Sequence, residues 1–368
     1  NMKVSAIFLV IHILLIIWLQ VTLMNLEEIY LKKSRQYKKI MLILILFILF
    51  FLPLACSFGI NVKFYQLFSA INSFISGTLG SDPDKEINAI ILSIRLPRLI
   101  LAVLSGFALA ISGSLMQTIT RNYLVSPFTV GVSAAAAFGA SLGIILGAKD
   151  INVIIPLAFA TALICMIILY GASYIIGISP SIIILIGISL NYLFGAFTEL
   201  LKFGAKGRQL ESMIQWSFGT LNRASWSGIL ILWIIMIVCI PIIFHYIVGL
   251  GVMAYNPDNV SRSLGINTKK IRIIIGLVSI LLTATVICFT GVIGFVGLIA
   301  PHMARLIISA DYKYSVILSA LIGSTLMLVS DTIGHYIFPP NDIPVSIILS
   351  FIGVPLFIHL IVSGRSKI

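Results

Sequence analysis

Charge is scarce in this sequence. Only 10% of its 368 residues are Asp, Glu, Lys or Arg, against about 25% in soluble domains. With 60% hydrophobic residues and a mean hydropathy of +1.13, the chain has too little polar surface to stay in water as a globule. Cysteine is scarce as well. Cys56, Cys165, Cys239 and Cys288 stand one to an apolar run, without the C-x-x-C spacing of a metal or redox site, and read as small packing residues. Gly and Pro are too few for a fibrous or disordered chain. No G-x-x-x-x-G-K-[ST] run is present, so no loop is expected to cradle ATP phosphates. These absences exclude a soluble enzyme and leave a polytopic membrane protein, with no catalytic residue, cofactor or metal site expected.

A helix crossing the ~30 Å hydrocarbon core needs about 20 mostly apolar residues. Such runs fall near 4–24, 40–58, 95–119, 127–147, 151–177, 181–203, 228–249, 271–290, 291–310, 315–335 and 344–363. Backbone in lipid must satisfy its own hydrogen bonds, so each run is read as a helix. The ten-residue alternation of a membrane barrel is missing. The first run, Met2 to Met24, reads either as an extra helix or as a signal anchor, with a natural start at Met24 as a third reading. Residues 1–36 are therefore set apart as an N-terminal appendage, an extra helix plus a basic segment, and 37–368 as a ten-helix core.

Lys32, Lys33, Arg35, Lys38 and Lys39 precede the first core helix and place that side in the cytoplasm. Ten spans return the C-terminus to the same side. The net charge of +12 then reflects topology and attraction to anionic membrane lipids, with no need for a nucleic-acid partner. Gly139, Gly143 and Gly147, and Gly291, Gly294 and Gly297, form small-residue stripes suited to close helix contact. Pro97, Pro127, Pro156, Pro301 and Pro355 point to broken or kinked spans, tolerated only against protein or a water-filled cavity. No span carries the paired acids of an ion-driven pump. A transporter without its own energy source implies a partner that supplies one.

Three local patterns stand out. Arg95 and Arg98 lie at the expected outer start of the second core helix, on one face at i and i+3. They read either as snorkelling to lipid phosphates or as forks for a partner's carboxylates. Asn256-Pro257-Asp258 has the N-cap, first-turn Pro and acid of a short helix, which Gly265 ends. Ser179-Pro180-Ser181 reads as a helix-start turn. His302 has no second ligand spaced to join it and reads as a packed histidine.

The blocks Arg95-Leu-Pro-Arg98, Gly106 to Gly113, Met116-Gln117, Asn122 to Pro127 and Gly131-Val-Ser133 occur in order. They are followed by Gln215-Trp216 through Gly219, Ser261 to Ile266, Thr290 to Arg305, Ser330-Asp331, and Ile343-Pro344 to Pro355. Over about 40–365 the chain resembles the permease subunits of ABC importers for iron–siderophore complexes, haem and vitamin B12. Where this chain has Tyr123, Ser126, Ser346 and His335, the family often has Pro, an acid, Gly and Arg.

The resemblance implies an all-α polytopic protein with the ten-helix core of the type II importer permease, multi-pass in the bacterial cytoplasmic membrane. It implies a second permease subunit, identical or paralogous, ABC ATPase subunits inside, and an extracytoplasmic substrate-binding protein outside. By the same resemblance Arg95 and Arg98, with His335, dock the binding protein. Asn256, Pro257, Asp258, Arg262, Leu264 and Gly265 form the helix that seats in the ATPase. Asn122, Leu124, Ser179, Pro180 and Ser181 narrow the exit as a cytoplasmic gate, and Met116 and Gln117 face the pathway or the subunit seam. The reading is a permease for iron(III)–siderophore uptake by alternating access. A haem or cobalamin permease is the alternative within the class, and an ion-coupled secondary transporter the alternative outside it.

Overall fold

The computed structural model describes residues 31–57, 69–70, 72, 85–147, 151–308, 311–337 and 342–364. The apolar run at 4–24 lies outside the described residues. Seven described helices are long and apolar enough to cross a membrane. They are α1 (Leu31–Ser57), α2 (Glu86–Thr120), α4 (Ile151–Ile176), α5 (Pro180–Gly204), α7 (Trp226–His245), α10 (Thr268–Thr290) and α12 (Tyr312–Ile337). Shorter helices are α3 (Val132–Ile145), α6 (Arg208–Ser217), α8 (Ile247–Tyr255), α9 (Asp258–Ser263) and α11 (Val296–Ile307), with α13 (Val345–Gly364) last. The chain divides into two compact units, one ending at Leu46 and one starting at Phe47; α1 crosses the division, and its basic first turns are helical.

Each of the ten core runs falls on a helix, with shifted boundaries. At 14 and 12 residues, α3 and α11 reach only about 21 and 18 Å at 1.5 Å per residue. Their lost turns become irregular backbone. Gly131, Gly291 and Phe295 have φ of 89°, 75° and 66°, which no α-helix accepts. Such backbone is tolerated at membrane depth only inside protein or along a water-filled cavity. Accordingly, Thr220 N–H donates to Thr290 O at 2.7 Å, and a Cβ on Gly291 would run into the Trp216 carbonyl.

The inside of the second unit is α2. Of its most apolar window 83% is buried, against 78% for α10 and 67% for α12, while α4, α5 and α7 stay at 33% or below. Small residues make this possible. A Cβ on Gly106 would strike the Gly323 carbonyl of α12, and one on Gly113 the Gly297 carbonyl of α11. Hydroxyls then bond across the close approach: Ser279 Oγ donates to Ser112 O at 2.8 Å and Ser324 Oγ to Val103 O at 2.9 Å. Interhelical bonds of this kind hold helices where lipid gives no hydrophobic drive.

The spacing predicted that α2 begins at Arg95. It begins at Glu86, and a π-turn at Ile91–Arg95 sits in its path. Pro97 has no N–H for the carbonyl one turn back, and the wider turn re-registers the ladder, with Leu96 N–H reaching Ile91 O. Arg95 and Arg98 therefore lie inside a helix, more than two turns from its first residue.

Candidate functional site

One end of the second unit is organised around Asp258. The expected short helix forms as α9, and its ending is the one the sequence proposes. Gly265 has φ of 82°, Gly265 N–H bonds Arg262 O at 2.9 Å and Ile266 N–H bonds Ser261 O at 3.1 Å. This paired arrangement is the Schellman motif. Its start differs. Asn256 closes α8, its Nδ2 donating to Val252 O at 3.0 Å, while Pro257 is the N-cap residue of α9, with no side-chain cap bond. The expected capping role therefore belongs to the preceding helix, because Asn256 ends α8 directly. Asn267 caps α10, accepting from Lys270 N–H at 3.0 Å.

Asp258 ties α9 to the core. Arg272 of α10, with no exposed surface, donates from Nη2 to Asp258 Oδ1 at 2.6 Å and from Nε to Ile119 O near the end of α2 at 2.9 Å. Arg121, the left-handed C-cap residue of α2 with φ of 52°, lies 3.8 Å from the same oxygen. The hydrogen bond from Arg272 holds the Asp258 carboxyl below its usual range, burial opposing and the charges of Arg272, Arg121 and Arg262 assisting. The other face of α9 is open. Arg262 is exposed, though its Nε donates to Thr268 Oγ1 at 3.2 Å, and Val260 and Leu264 expose 40% and 62% of their surface.

The expected gate residues share this end. Leu124 N–H donates to Asn122 Oδ1 at 2.9 Å, a tight turn that leaves Leu124 exposed. Ser179 caps α5 by accepting from Ile182 N–H at 3.3 Å, with Pro180 first in the helix and Ser181 exposed. Tyr170, near the end of α4, packs on Gly276 near the start of α10, which brings the 179–181 turn to the Asp258 end. No hydrogen bond joins the two gate segments among the described residues. Met116 is wholly buried within the chain, so in this conformation it presents no surface to a pathway or a second subunit. Gln117 is also buried, but its Oε1 accepts from Arg305 Nη2 at 2.5 Å. It lines a cavity of about 180 Å³ with Arg121, Tyr123 and Tyr255. Arg305 stacks over Tyr123, 4.4 Å from the ring centre, a cation–π contact.

The opposite end carries Arg95, Arg98 and His335. Arg98 is 11% exposed and Asp331 2%. Arg98 Nε and Nη2 donate to Asp331 at 2.9–3.0 Å, and Nη1 donates to Asp342 Oδ2 at 2.7 Å. His335 Nδ1 donates to Asp342 Oδ1 at 2.6 Å. Burial raises the Asp342 carboxyl, but hydrogen bonding and charge from Arg98 outweigh it and hold the group below its usual range. Arg95 is half-buried and donates to Cys56 O at 2.7 Å. The Arg98 fork thus meets this chain's own acids, a use that neither sequence reading considered. Asp331 and Asp342 lie 233 and 244 residues away, beyond any local pattern. His302 packs edge-on against Phe357.

Sequence reasoning also missed α6, although Leu210, Met213 and Trp216 recur at spacing three, and Met213 and Trp216 are buried.

The FecCD transport family matches residues 40–363. An ABC transporter permease of Methanocaldococcus jannaschii is 37% identical over 353 residues, covering 92% of this chain and 99% of its own. The Fe(3+)-citrate import system permease YfmE of Bacillus subtilis is 32% identical over 332 residues, covering 90% and 97%. A hemin transport system permease of Yersinia pestis is 33% identical over 287 residues, covering 75% and 84%. Among solved structures, an inward-facing metal-chelate type ABC transporter superposes with a TM-score of 0.77 at 27% identity, covering 89% of this chain and 99% of that one. The chain belongs to the FecCD transport family and is an ABC importer permease with the ten-helix type II fold.

Proposed function

We propose that this FecCD-family permease carries an iron(III) chelate of the siderophore type across the cytoplasmic membrane, by alternating access powered by a partner ATPase. The observation that carries the reading is α9, a short helix with an open face of Val260, Arg262 and Leu264 whose Asp258 is ion-paired to α10 and to the C-cap of α2. A partner moving against that face would move the most buried helix of the unit. The cargo reading is supported by relatives named for Fe(3+)-citrate import and iron uptake, whereas a relative named for hemin transport supports the alternative cargo.

In this reading the Asp258 end is cytoplasmic, as are the core termini, and the ATPase seats on Asn256–Gly265. Asn122, Leu124 and the Ser179–Ser181 turn close the exit there against a second permease subunit, identical or paralogous. At the other end Arg95 is the better candidate to meet an acid of the binding protein. Arg98 and His335 shape that surface through Asp331 and Asp342. The experiment has two readouts: the tagged chain should co-purify an ABC ATPase, and a deletion strain should lose growth on one iron(III) chelate as sole iron source. Wild-type growth of the deletion strain on every iron(III) chelate, with lost growth on cobalamin, would reject the cargo. Absence of any ATPase would reject the class.

A further inference from the structure

A pocket of about 470 Å³ lies where α6 crosses the end of α3 and the start of α4. Two arginines from different segments line it: Arg208 in the first turn of α6, and Arg223 in the loop before α7. Ser212 and Gln215 add polar groups, and Ile151 and Ile154 form an apolar wall.

The site is held from several directions. Gln209 Nε2 donates to Ile145 O at 3.3 Å and fixes α6 on the end of α3. The loop carrying Arg223 is anchored by Thr220 N–H on Thr290 O and by a turn from Ala224 N–H to Leu221 O. Ser346 Oγ donates to Phe218 O, and Asn222 helps hold the Asp342 carboxyl below its usual range. The same loop thus touches the Arg98 network. The backbone that carries Arg223 is held on both sides.

Neither guanidinium is neutralised by a described acid. Glu211, on the same helix as Arg208, instead accepts from Gln215 Nε2 at 3.2 Å. Arg223 Nη1 is fully enclosed and has no hydrogen-bond partner among the described residues. Buried polar groups in native proteins are almost always satisfied, by protein, water or an ion, and an enclosed charged donor is the costliest kind to leave unmet. Burial also lowers the Arg223 pKa, the direction expected of a cation enclosed without a counter-charge.

We propose that Arg208 and Arg223 bind an oxyanion group, a carboxylate or phosphate, of a ligand whose apolar part rests on Ile151 and Ile154. Planar guanidinium forks suit this chemistry. Two sources share it, a free small oxyanion and the headgroup of an anionic phospholipid.

The test uses the full chain in nanodiscs, with citrate, inorganic phosphate and phosphatidylglycerol as probes and tryptophan emission as the signal, since Trp216 lines the pocket. In pure phosphatidylcholine, citrate or phosphate should give a saturable change at least tenfold weaker in Arg208→Gln and absent in Arg208→Gln/Arg223→Gln. A phospholipid source would show as phosphatidylglycerol retained in native mass spectra of wild type and lost in Arg208→Gln, with the citrate response suppressed. A free-anion source would leave the citrate response unchanged by phosphatidylglycerol. Arg208 is exposed, so its variant reports on the site even where Arg223→Gln does not insert. No anion response, together with phosphatidylglycerol retention independent of Arg208 in a variant that melts like wild type, would overturn the proposal.

Discussion

Arg272 and Asp258 meet at 2.6 Å, the arginine with no exposed surface and the aspartate on a short helix at the edge of the fold. Breaking a buried pair from one side leaves an uncompensated charge and costs about 3–5 kcal/mol. Asp258→Asn should therefore lower stability in nanodiscs by about 3 kcal/mol, because Arg272 keeps only the Ile119 carbonyl and Arg121 also loses its nearby acid. Adding Arg272→Met should recover most of the loss, because the stranded charge goes with it. Equal melting of Asp258→Asn and wild type would show that the pair does not tether α9.

The Arg98 network makes a different prediction. Arg98→Glu would set a third carboxylate against Asp331 and Asp342, so lost uptake in that variant would report misfolding as readily as lost docking. Arg95→Glu is the cleaner probe, because Arg95 donates to the Cys56 carbonyl whereas Arg98 is held by two acids. It should weaken binding-protein affinity more at low salt than at high salt, as a partly exposed charge does, in protein whose melting shows that it is folded. Affinity unaltered at both salt concentrations would remove Arg95 from the docking surface.

Acid should loosen the same end. Asp342 has its carboxyl pKa depressed in the folded state, so its contribution to stability is complete above its unfolded value near about 3.9. That contribution is lost as pH falls through the lower folded value. Stability from pH 7 to 5 should be indifferent to this group, and the loss below about pH 4 should be shallower in Asp342→Asn. A variant whose acid unfolding curve overlays wild type would contradict the assignment.

Glycine packing around α2 is also testable. A Cβ on Gly113 meets the backbone of Gly297, whereas one on Gly171 of α4 meets nothing within 4 Å. Gly113→Val should cost about 1–3 kcal/mol or more as overpacking and reduce the yield of folded protein. Gly171→Ala should be neutral or stabilising by about 0.5–1 kcal/mol. The reverse order would mean that the α2–α11 contact is looser than described.

The helices were legible in the sequence because length and hydropathy alone decide what crosses a bilayer. The α9 turn was legible because Pro257, Asp258 and Gly265 encode it locally. What escaped was set by contacts distant in sequence. Nothing near Arg98 says that Asp331 will meet it, and nothing near Arg272 marks it as the partner of Asp258. The start of α2 was misplaced because Pro97 usually signals a first turn, and here a π-turn absorbs it. Helix α6 was overlooked because its apolar stripe is short and interrupted by charge. Met116, expected on the pathway or the subunit seam, is enclosed instead, because with Ser112, Gly113 and Ser114 it belongs to a tightly buried helix.

The most direct measurement is ATP-driven uptake of an iron(III) chelate by the reconstituted complex carrying Leu264→Asp. Leu264 is 62% exposed and outside the Asp258 network, so the change alters the open face of α9 and leaves its tether intact. The account predicts at least a tenfold fall in uptake, with ATPase lost from the purified complex and the permease melting as wild type. Full uptake with normal ATPase association would contradict it.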